Sequence, residues 1–310
     1  MSKKAVGVLA MAYGTPSSLD EVEEYYTHIR RGRKPSEDQL AELVERYKTI
    51  GGLSPLNEIT RKQTEGLERI LNDNGGDMTY RVYIGMKHAK PFIEDTVKQM
   101  VKDGIQEAVG FVYAPHYSAM SIGSYISAAK KGAEQHGGPE FSFVHQWHMQ
   151  PQFLQAVTER LRYAFAQFPE EERDQVRLLF TAHSLPERIL EMNDPYPEQL
   201  RETAAELAKR IEHSNWGVAW QSAGRTPEPW LGPDVLDVLR DLADQGTRSV
   251  VICPVGFVAD HLEVLYDIDV ECQVLAKEVG LKVVRTEMLN AAEDFLQALA
   301  TVVRDHTKKD

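Results

Sequence analysis

Eight short apolar runs, separated by amphipathic segments, constrain the fold of this chain more than any other feature. The runs are rich in β-branched or aromatic residues and lie at 5–12, 80–86, 108–114, 141–147, 176–182, 217–221, 249–254 and 281–285. Runs of this length and composition predict buried strands. The intervening segments have helical periodicity, for instance at 36–50, 57–73, 91–103, 151–168, 196–213 and 233–245. This alternation predicts an α/β fold with parallel sheets and crossover helices.

The eight predicted strands divide into two sets of four. A polar stretch at 168–173 follows a predicted helix and separates the two sets. We therefore expect two similar Rossmann-like domains, each a four-stranded parallel sheet flanked by helices, at 1–170 and 171–310. A final helix at 291–307 has the periodicity to pack across this boundary.

The two halves begin alike. The first strand ends in Ala12-Tyr13 and the fifth in Ala182-His183, and a proline follows shortly after each pair. In open α/β sheets, ligands bind beyond the carboxyl ends of the strands. We therefore expect Tyr13 and His183 to face each other across a cleft between the two domains, which would hold the active site.

Bulk composition excludes several classes of protein. A formal net charge of −12 argues against nucleic acid as the main partner. No apolar run approaches the roughly 20 residues that a membrane helix requires, so we expect no stable membrane insertion. Two cysteines, Cys253 and Cys272, cannot build a disulfide framework and fit the cytoplasm, and an iron–sulfur cluster usually needs four thiolates. The absence of a long apolar surface stripe favours a monomer.

Three carboxylates follow the seventh predicted strand. Glu263, Asp267 and Glu271 stand at i, i+4 and i+8 of a helix that we expect to begin near Asp260. Because a step of four residues advances only about 40° around an α-helix, all three line one face. Such oxygens suit Mg²⁺ or a hydrated Fe²⁺. Two interpretations stay open: a ladder for a hard cation, or a solvated acidic face.

His183 is the second candidate group. It closes an apolar strand, and with Glu263 from a neighbouring loop it would form an open nitrogen and oxygen site. Iron(II) accepts such ligands and can leave them again, which a transfer site requires. The alternative is a structural histidine with no ligand.

The third candidate group is basic and aromatic. Arginine forms bidentate pairs with carboxylates, so several arginines near one strand end suit a substrate with several carboxylates. The alternative is a solvated helix face, which is our interpretation for Arg33. The candidates are Tyr13, Arg30, Arg31, Arg46, Tyr47 and Ser54, with His88 and Tyr125 lining the same cavity.

Several of these segments together resemble the ferrochelatases. The motifs are Thr-Ala-His-Ser-Leu-Pro at 181–186, Trp-Gln-Ser at 220–222, Pro-Trp-Leu-Gly-Pro at 229–233 and Asp-His-Leu-Glu at 260–263. The likeness covers the whole chain and is strongest to the Gram-positive branch that uses coproporphyrin III. The segments at 13–16, 26–33 and 51–56 carry that second likeness.

This resemblance implies that the chain inserts Fe²⁺ into coproporphyrin III in haem biosynthesis. It implies that His183 and Glu263 bind and deliver iron, that Asp267 and Glu271 form an outer cation site, possible for Mg²⁺, and that Tyr13 is an axial ligand of the product iron. It also implies substrate contacts by Arg30, Arg46, Tyr47, Ser54 and Tyr125. Transient haem-pathway enzymes are the implied protein partners, and no iron–sulfur cluster is carried over.

Three alternatives stay open. One is a ferrochelatase for protoporphyrin IX, because the arginines alone are compatible with either porphyrin. Another is a carrier that holds a tetrapyrrole or haem without making it. The third is a related chelatase that inserts cobalt or nickel into a different tetrapyrrole, because a His/Glu site does not by itself select one divalent metal.

Overall fold

Two four-stranded parallel sheets form the framework in the computed structural model, which describes residues 4–73 and 78–307. The first sheet has the order β2-β1-β3-β4 and the second β6-β5-β7-β8. The strands are β1 (Lys4–Ala12), β2 (Met78–Met86), β3 (Glu107–Val112), β4 (Glu140–Phe143), β5 (Arg177–His183), β6 (Trp216–Gln221), β7 (Ser249–Cys253) and β8 (Lys282–Arg285). The expected fold class, two similar α/β domains with helices around parallel sheets, is confirmed.

Helices connect the strands in the way that parallel pairing requires. They are α1 (Val22–Ile29), α2 (Glu37–Thr49), α3 (Leu56–Asp73), α4 (Ile93–Lys102), α5 (Ile122–His136), α6 (Pro151–Phe165), α7 (Arg188–Glu191), α8 (Tyr196–Arg210), α9 (Val235–Asp244), α10 (Gln273–Val279) and α11 (Glu293–Thr307). Short 3₁₀ turns lie at Leu19–Glu21 and Glu170–Gln175, and a π-helix runs over Val264–Cys272.

Local signals explain where the helices begin and end. At the start of α2, the Ser36 hydroxyl accepts from the Gln39 amide while the Gln39 side chain accepts from the Ser36 amide, which is a capping box. Helix α6 begins with a proline, whose missing N–H costs nothing at that position. Helix α10 ends at Gly280, whose φ of 74° is left-handed and suits glycine.

The same topology is repeated in both sheets. Strand β1 lies between β2 and β3, and β5 lies between β6 and β7. The chain therefore leaves each of these strands at the point where the strand order reverses, and ligands bind at the carboxyl side of such points. Tyr13 directly follows β1, and His183 is the last residue of β5. The expected correspondence of these two positions within their own sheets is confirmed.

The boundary between the two compact units differs from the expected division near residue 170. The first unit comprises residues 4–73, 78–114, 119–147 and 290–307, and the second comprises 115–118 and 148–289. Helix α6 therefore belongs with the second sheet, since it packs on β7. The polar stretch after α6 is a surface connection, so its composition does not mark a boundary.

Helix α11 completes the first unit by packing on α3. A Cβ atom on Gly66 would lie 2.5 Å from the Leu296 side chain, so the glycine allows the two helices to approach closely. The Arg304 guanidinium donates to the carbonyl of Ile70 at 2.6 Å. Helix α11 therefore packs in the first unit, although the chain reaches it only after forming the second unit.

The second unit has an apolar core between its sheet and the helices on one face. Its centre is formed by Leu179, Val250 and Ile252 from the strands, with Ile268 and Cys272 from the π-helix. The π-helix is therefore anchored by its apolar side, and its acidic residues are held at defined positions. In the described part of the chain, no helix is long and apolar enough to cross a membrane.

Candidate active site

The carboxyl end of β5 presents the His183 imidazole. Its Nδ1 atom lies against the carbonyl oxygen of Ser184, which can only accept a hydrogen bond. Nδ1 therefore carries the hydrogen, and Nε2 is the atom available to a proton or a metal. The Tyr196 hydroxyl donates to the His183 carbonyl at 3.0 Å, which further fixes this end of the strand.

Glu263 brings a carboxylate to the same place. Its Oε1 atom is 3.5 Å from His183 Nε2, and its Oε2 atom is 3.5 Å from His261 Nε2. The side chains of His183 and Glu263 are 33% and 34% exposed. The structure therefore brings together the two residues that sequence reasoning assigned to iron and leaves both accessible.

Close approach of a loop to strand β5 positions this pair. The Gly256 amide donates to the Thr181 carbonyl at 3.0 Å, so the loop after β7 lies directly against β5. A Cβ atom at Gly256 would lie 2.4 Å from the Ala182 Cβ. Only glycine permits this contact, which holds the loop that leads to Glu263 beside the strand that ends in His183.

The two groups shift each other's protonation. Burial alone lowers the pKa of His183, but the charge and hydrogen bond of Glu263 outweigh it and raise the pKa to about 9. Burial raises the pKa of Glu263, but His183 and then His261 hold that pKa well below its usual range. At neutral pH the pair is thus an imidazolium beside a carboxylate. A metal ion that binds Nε2 must displace a proton.

The helix that carries the acidic residues is a π-helix rather than the expected α-helix. Its i→i+5 hydrogen bonds widen the turn, so a step of four residues falls short of one turn instead of exceeding it. The carboxylates still follow one side of the helix, but they drift around it in the opposite sense. Asp260, which we expected to cap the helix, forms an ion pair with Arg285 at 3.2 Å.

Asp267 is not a solvated residue. It is 6% exposed, its carboxylate contacts the Ser222 hydroxyl, and Gln221 Nε2 lies 3.5 Å away. Glu271 is half-buried. Among the described residues, no group of three or more His, Cys, Asp or Glu side chains is arranged to hold a metal ion. Burial of Asp267 excludes the interpretation of the three carboxylates as a solvated face, and the outer cation site stays a prediction.

The carboxyl end of β1 has different surroundings. Tyr13 is 41% exposed, and its ring centroid is 4.6 Å from that of His88. His88 Nδ1 lies 3.0 Å from His28 Nδ1, and the His28 ring stacks on Phe92 with a centroid distance of 5.2 Å. Burial, then Lys87, then His28 lower the pKa of His88 to about 3. The ring beside Tyr13 is therefore neutral.

Two cationic side chains, Lys87 and Arg31, lie near this aromatic cluster. Lys87 donates to the Ser124 hydroxyl at 2.7 Å, and its Nζ atom lies 5.0 Å from the centre of the Tyr125 ring. Burial first, and then the charge of Arg31, lower the pKa of Lys87. Positive charge is therefore concentrated here, and a carboxylate ligand would relieve it.

The other predicted arginines lie on helix surfaces of the first unit. Arg30 donates through Nε to the Arg33 carbonyl at 3.2 Å, and its guanidinium lies 5.4 Å from the centre of the Tyr26 ring. Arg46 pairs with Glu42 at 3.3 Å. These contacts leave part of each guanidinium exposed, and a role in substrate binding stays a prediction.

Three residues that we predict to contact the substrate have largely buried side chains in this structure, and their role in substrate binding stays a prediction. Tyr47 is 1% exposed, and its hydroxyl lies 3.1 Å from that of Thr15. Tyr125 is 5% exposed and Ser54 8%. Ser54 Oγ accepts from the Leu56 amide and thus holds the start of α3. Aromatic and hydroxyl groups near a strand end serve packing and capping as readily as ligand binding.

Sequence reasoning missed several residues that the structure places at these two strand ends. They are His28, Lys87, Gln221 and His261. His28 lies in the segment 26–33 and His261 in the motif at 260–263, where the predictions rest on neighbouring residues. Lys87 adjoins His88, and its position directly after a predicted strand was the available signal.

Over its whole length, the chain is similar in sequence to ferrochelatases. The family model described as ferrochelatase matches residues 5–307. The coproporphyrin III ferrochelatase of Anoxybacillus flavithermus is 50% identical over 311 residues, covering 100% of this chain and 99% of that protein. That of Bacillus subtilis (strain 168) is 51% identical over 304 residues, covering 98% of each.

Solved structures support the fold at much lower identity. The structure titled SirB from Bacillus subtilis with Fe³⁺ is 12% identical, covers 98% of this chain and 95% of its own, and has a TM-score of 0.60. A sirohydrochlorin chelatase structure from Bacillus subtilis subspecies spizizenii, in complex with cobalt, has a TM-score of 0.58 at 13% identity. These neighbours share the architecture of two sheets. The family match and the identity to whole-length relatives show that the chain belongs to the ferrochelatase family.

Proposed function

We propose that this protein inserts Fe²⁺ into coproporphyrin III and releases two protons, yielding the iron coproporphyrin (coproheme) of haem biosynthesis. The observation that carries the proposal is the His183 and Glu263 pair, with 3.5 Å between Nε2 and Oε1, at the carboxyl end of a central strand. Relatives about half identical over the whole chain carry the name coproporphyrin III ferrochelatase, which supports this choice of porphyrin.

In the first step, iron exchanges with a proton. Aqueous Fe²⁺ approaches a pair that is charged at neutral pH, and the Glu263 carboxylate attracts it. His183 releases its Nε2 proton to solvent and donates the freed lone pair to the metal, while Nδ1 keeps its hydrogen bond to Ser184. Imidazole and carboxylate are ligands of intermediate strength for iron(II), so they replace water without trapping the ion.

In the second step, the metal passes to the porphyrin nitrogens and protons return. The macrocycle carries two pyrrole N–H protons, which must leave as iron enters. Once iron has departed, His183 Nε2 is again a base whose pKa is about 9, and it accepts a proton readily. The second proton passes to water. One Fe²⁺ has then entered, and two protons have left.

The end of β1 would bind the porphyrin. The propionates of coproporphyrin are carboxylates, and Arg31 and Lys87 concentrate positive charge beside the exposed Tyr13 ring. We assign Arg30 and Arg46 to the same role by family resemblance. Tyr13 would ligate the product iron through its phenolic oxygen, a ligand type that haem iron accepts.

We further propose that the reaction needs no resident prosthetic group. Both cysteines are buried, Cys253 at 2% and Cys272 at 0% exposure, and burial raises the pKa of each thiol. These properties do not suit an iron–sulfur cluster. Mg²⁺ at Asp267 and Glu271, a cytoplasmic location, a monomeric state and transient contacts with haem-pathway enzymes complete the proposal.

The test is anaerobic iron insertion by the purified protein, followed by absorbance, with coproporphyrin III and protoporphyrin IX at equal concentration. We expect turnover with a preference for coproporphyrin III. A preference for protoporphyrin IX would replace the substrate and keep the reaction. Binding of both porphyrins without insertion would identify a carrier and overturn the proposal.

A further inference from the structure

Gln221 lies beside His183 in the second sheet. The two residues are partners in the parallel register of β5 and β6, so their side chains point to the same side of the sheet. The Gln221 side chain is buried, since the residue is 1% exposed. Its backbone carbonyl accepts from the Ser184 amide at 2.7 Å. A buried polar side chain next to a metal-handling residue needs partners, and the structure supplies them.

The Gln221 amide group joins the strand of His183 to the helix of Glu263. Its Oε1 atom accepts from the Thr181 hydroxyl at 2.8 Å, two residues before His183. Its Nε2 atom donates to the Glu263 carbonyl at 3.2 Å. The same nitrogen lies 3.5 Å from the Asp267 carboxylate, a longer and weaker contact.

The orientation of this amide follows from its partners. A backbone carbonyl and a carboxylate can only accept hydrogen bonds, so the group that faces them is the NH₂. The oxygen must then face Thr181, whose hydroxyl can donate. All three partners are matched only in this orientation, which makes the amide a rigid bracket rather than a freely rotating group.

We propose that Gln221 is a positioning residue, which sets the spacing between the His183 imidazole and the Glu263 carboxylate. Glu263 has helical backbone angles at the start of the π-helix, and Gln221 is bonded to its carbonyl. Moving that carbonyl moves the carboxylate relative to His183 Nε2. The inference deepens the proposed function and rests on the same metal pair.

Ser222, the next residue, supports the role of this strand end. Its hydroxyl contacts the Asp267 carboxylate, which Gln221 also approaches. Two consecutive residues of one strand end therefore hold the first turn of the π-helix at two points, the Glu263 carbonyl and the Asp267 side chain. An apolar residue at 221 would fill the space but would leave the Thr181 hydroxyl and the Glu263 carbonyl without this partner.

The experiment measures metal binding apart from turnover. Co²⁺ is titrated by calorimetry into wild-type protein and Gln221→Leu, and KM is measured for Fe²⁺ and for coproporphyrin III. We expect Gln221→Leu to weaken Co²⁺ binding and raise KM for Fe²⁺ by about tenfold each, the usual effect of removing a residue that orients a ligand. KM for the porphyrin should stay unchanged.

Gln199→Leu is the matched control. Gln199 is a buried glutamine of the same unit, 5% exposed, whose Oε1 accepts from the Tyr117 amide at 2.7 Å, a hydrogen bond that involves neither His183 nor Glu263. Gln199→Leu should lower thermal stability as Gln221→Leu does, but it should leave Co²⁺ affinity and KM for Fe²⁺ unchanged. Loss of stability in Gln221→Leu with wild-type Co²⁺ affinity would overturn the inference.

Two further variants keep the test decisive. Thr181→Val removes only the hydroxyl that holds the Gln221 oxygen, so it should weaken Co²⁺ binding in the same direction by a smaller factor. In a Glu263→Gln background, Gln221→Leu should add little, because the two residues act through one carboxylate. Full additivity would contradict the inference.

Failure of the proposed function gives a different result. Wild-type protein that binds Co²⁺ but inserts iron into neither porphyrin would overturn the proposed function alone, and the ratio of Co²⁺ affinities would still decide the role of Gln221. Wild-type protein that binds no Co²⁺ would overturn both.

Discussion

The carboxyl ends of β1 and β5 occupy the same place in two sheets of the same strand order, yet they have opposite chemistry. Tyr13 at the first is beside a neutral His88, with Lys87 close by. His183 at the second faces the Glu263 carboxylate. The fold fixes where a ligand can bind, and the side chains decide its charge. One strand end suits carboxylates, and the other suits a metal cation.

This difference has an electrostatic origin. At the end of β1, burial and then the charge of Arg31 lower the pKa of Lys87, so an anion is stabilising there. At the end of β5 a carboxylate raises the pKa of an imidazole to about 9, so a cation is stabilising there. A reaction that combines a polyanionic ring with a divalent cation needs both environments, and a repeated fold provides two equivalent positions for them.

The largest effect is expected at the carboxyl end of β5, which suits a metal cation. His183→Ala removes Nε2, the atom that we propose exchanges a proton for iron, and should reduce iron insertion by at least about 100-fold, since proton transfer and metal ligation would both be lost. Porphyrin binding, measured by absorbance or fluorescence quenching, should be retained because the end of β1 is intact. His136→Ala, in the last turn of α5, is the control and should keep full activity. Full insertion by His183→Ala would remove His183 from the reaction.

The pH dependence of metal binding sharpens the comparison. The pKa of His183 is raised to about 9, so Nε2 is protonated at pH 7 and each bound metal ion displaces one proton. Co²⁺ affinity should therefore rise about tenfold per pH unit between pH 7 and 9 and then level off. Calorimetry in buffers of different ionisation enthalpy checks both the affinity and the proton count.

Glu263→Gln is the matched variant for this prediction. Without the carboxylate, burial lowers the pKa of His183, so the rise in Co²⁺ affinity should shift to below pH 7.

The ion pair between His183 and Glu263 also makes the free energy of unfolding depend on pH. Because the folded pKa is raised, the ion pair contributes fully below the ordinary histidine value of 6.5, and this contribution is lost as pH rises through about 9. An unchanged pH profile in Glu263→Gln would contradict the coupling.

Much of this fold was predictable from periodicity. All eight strands lie within a few residues of the expected runs, because a strand buried on both faces needs a continuous apolar sequence. The unit boundary was not predictable. Helix α6 has an amphipathic pattern that suits either sheet, and α11 joins the first unit through contacts such as Arg304 with Ile70, which are far apart in sequence.

The site was predictable where position and motif indicate chemistry, and unpredictable where packing decides. His183 and Glu263 were found because each lies at or just beyond the carboxyl end of a strand, where ligands bind in this architecture, and because their motifs resemble those of the ferrochelatases. The π-helix was missed because its apolar spacing differs from that of an α-helix by less than one residue per turn. Burial of Tyr47 and Asp267 depends on residues remote in sequence, which no local pattern reveals.

A smaller effect is expected at the anionic-ligand end. Arg31→Leu removes a charge that also lowers the pKa of Lys87, and it should raise KM for coproporphyrin III by about tenfold, less in high salt because exposed charges are screened. Arg33→Leu makes the same change of net charge two residues away on an exposed position. It should leave KM nearly unchanged. Equal effects of the two variants would mean that net charge, rather than the end of β1, governs porphyrin binding.

The smallest effect on the insertion rate is expected at Tyr13, and it distinguishes the role of the β1 end from that of the β5 end. Tyr13→Phe keeps the exposed ring and its contact with His88 but removes the phenolic oxygen. If Tyr13 serves the product rather than the metal delivery, insertion should slow by less than about threefold, whereas the absorption spectrum of the bound iron porphyrin should change because an axial oxygen ligand is lost. Tyr163→Phe, on a 62% exposed tyrosine of α6, controls for loss of a hydroxyl and should alter neither quantity. A loss of activity as large as that of His183→Ala would place metal delivery at both strand ends and remove the division of labour between them.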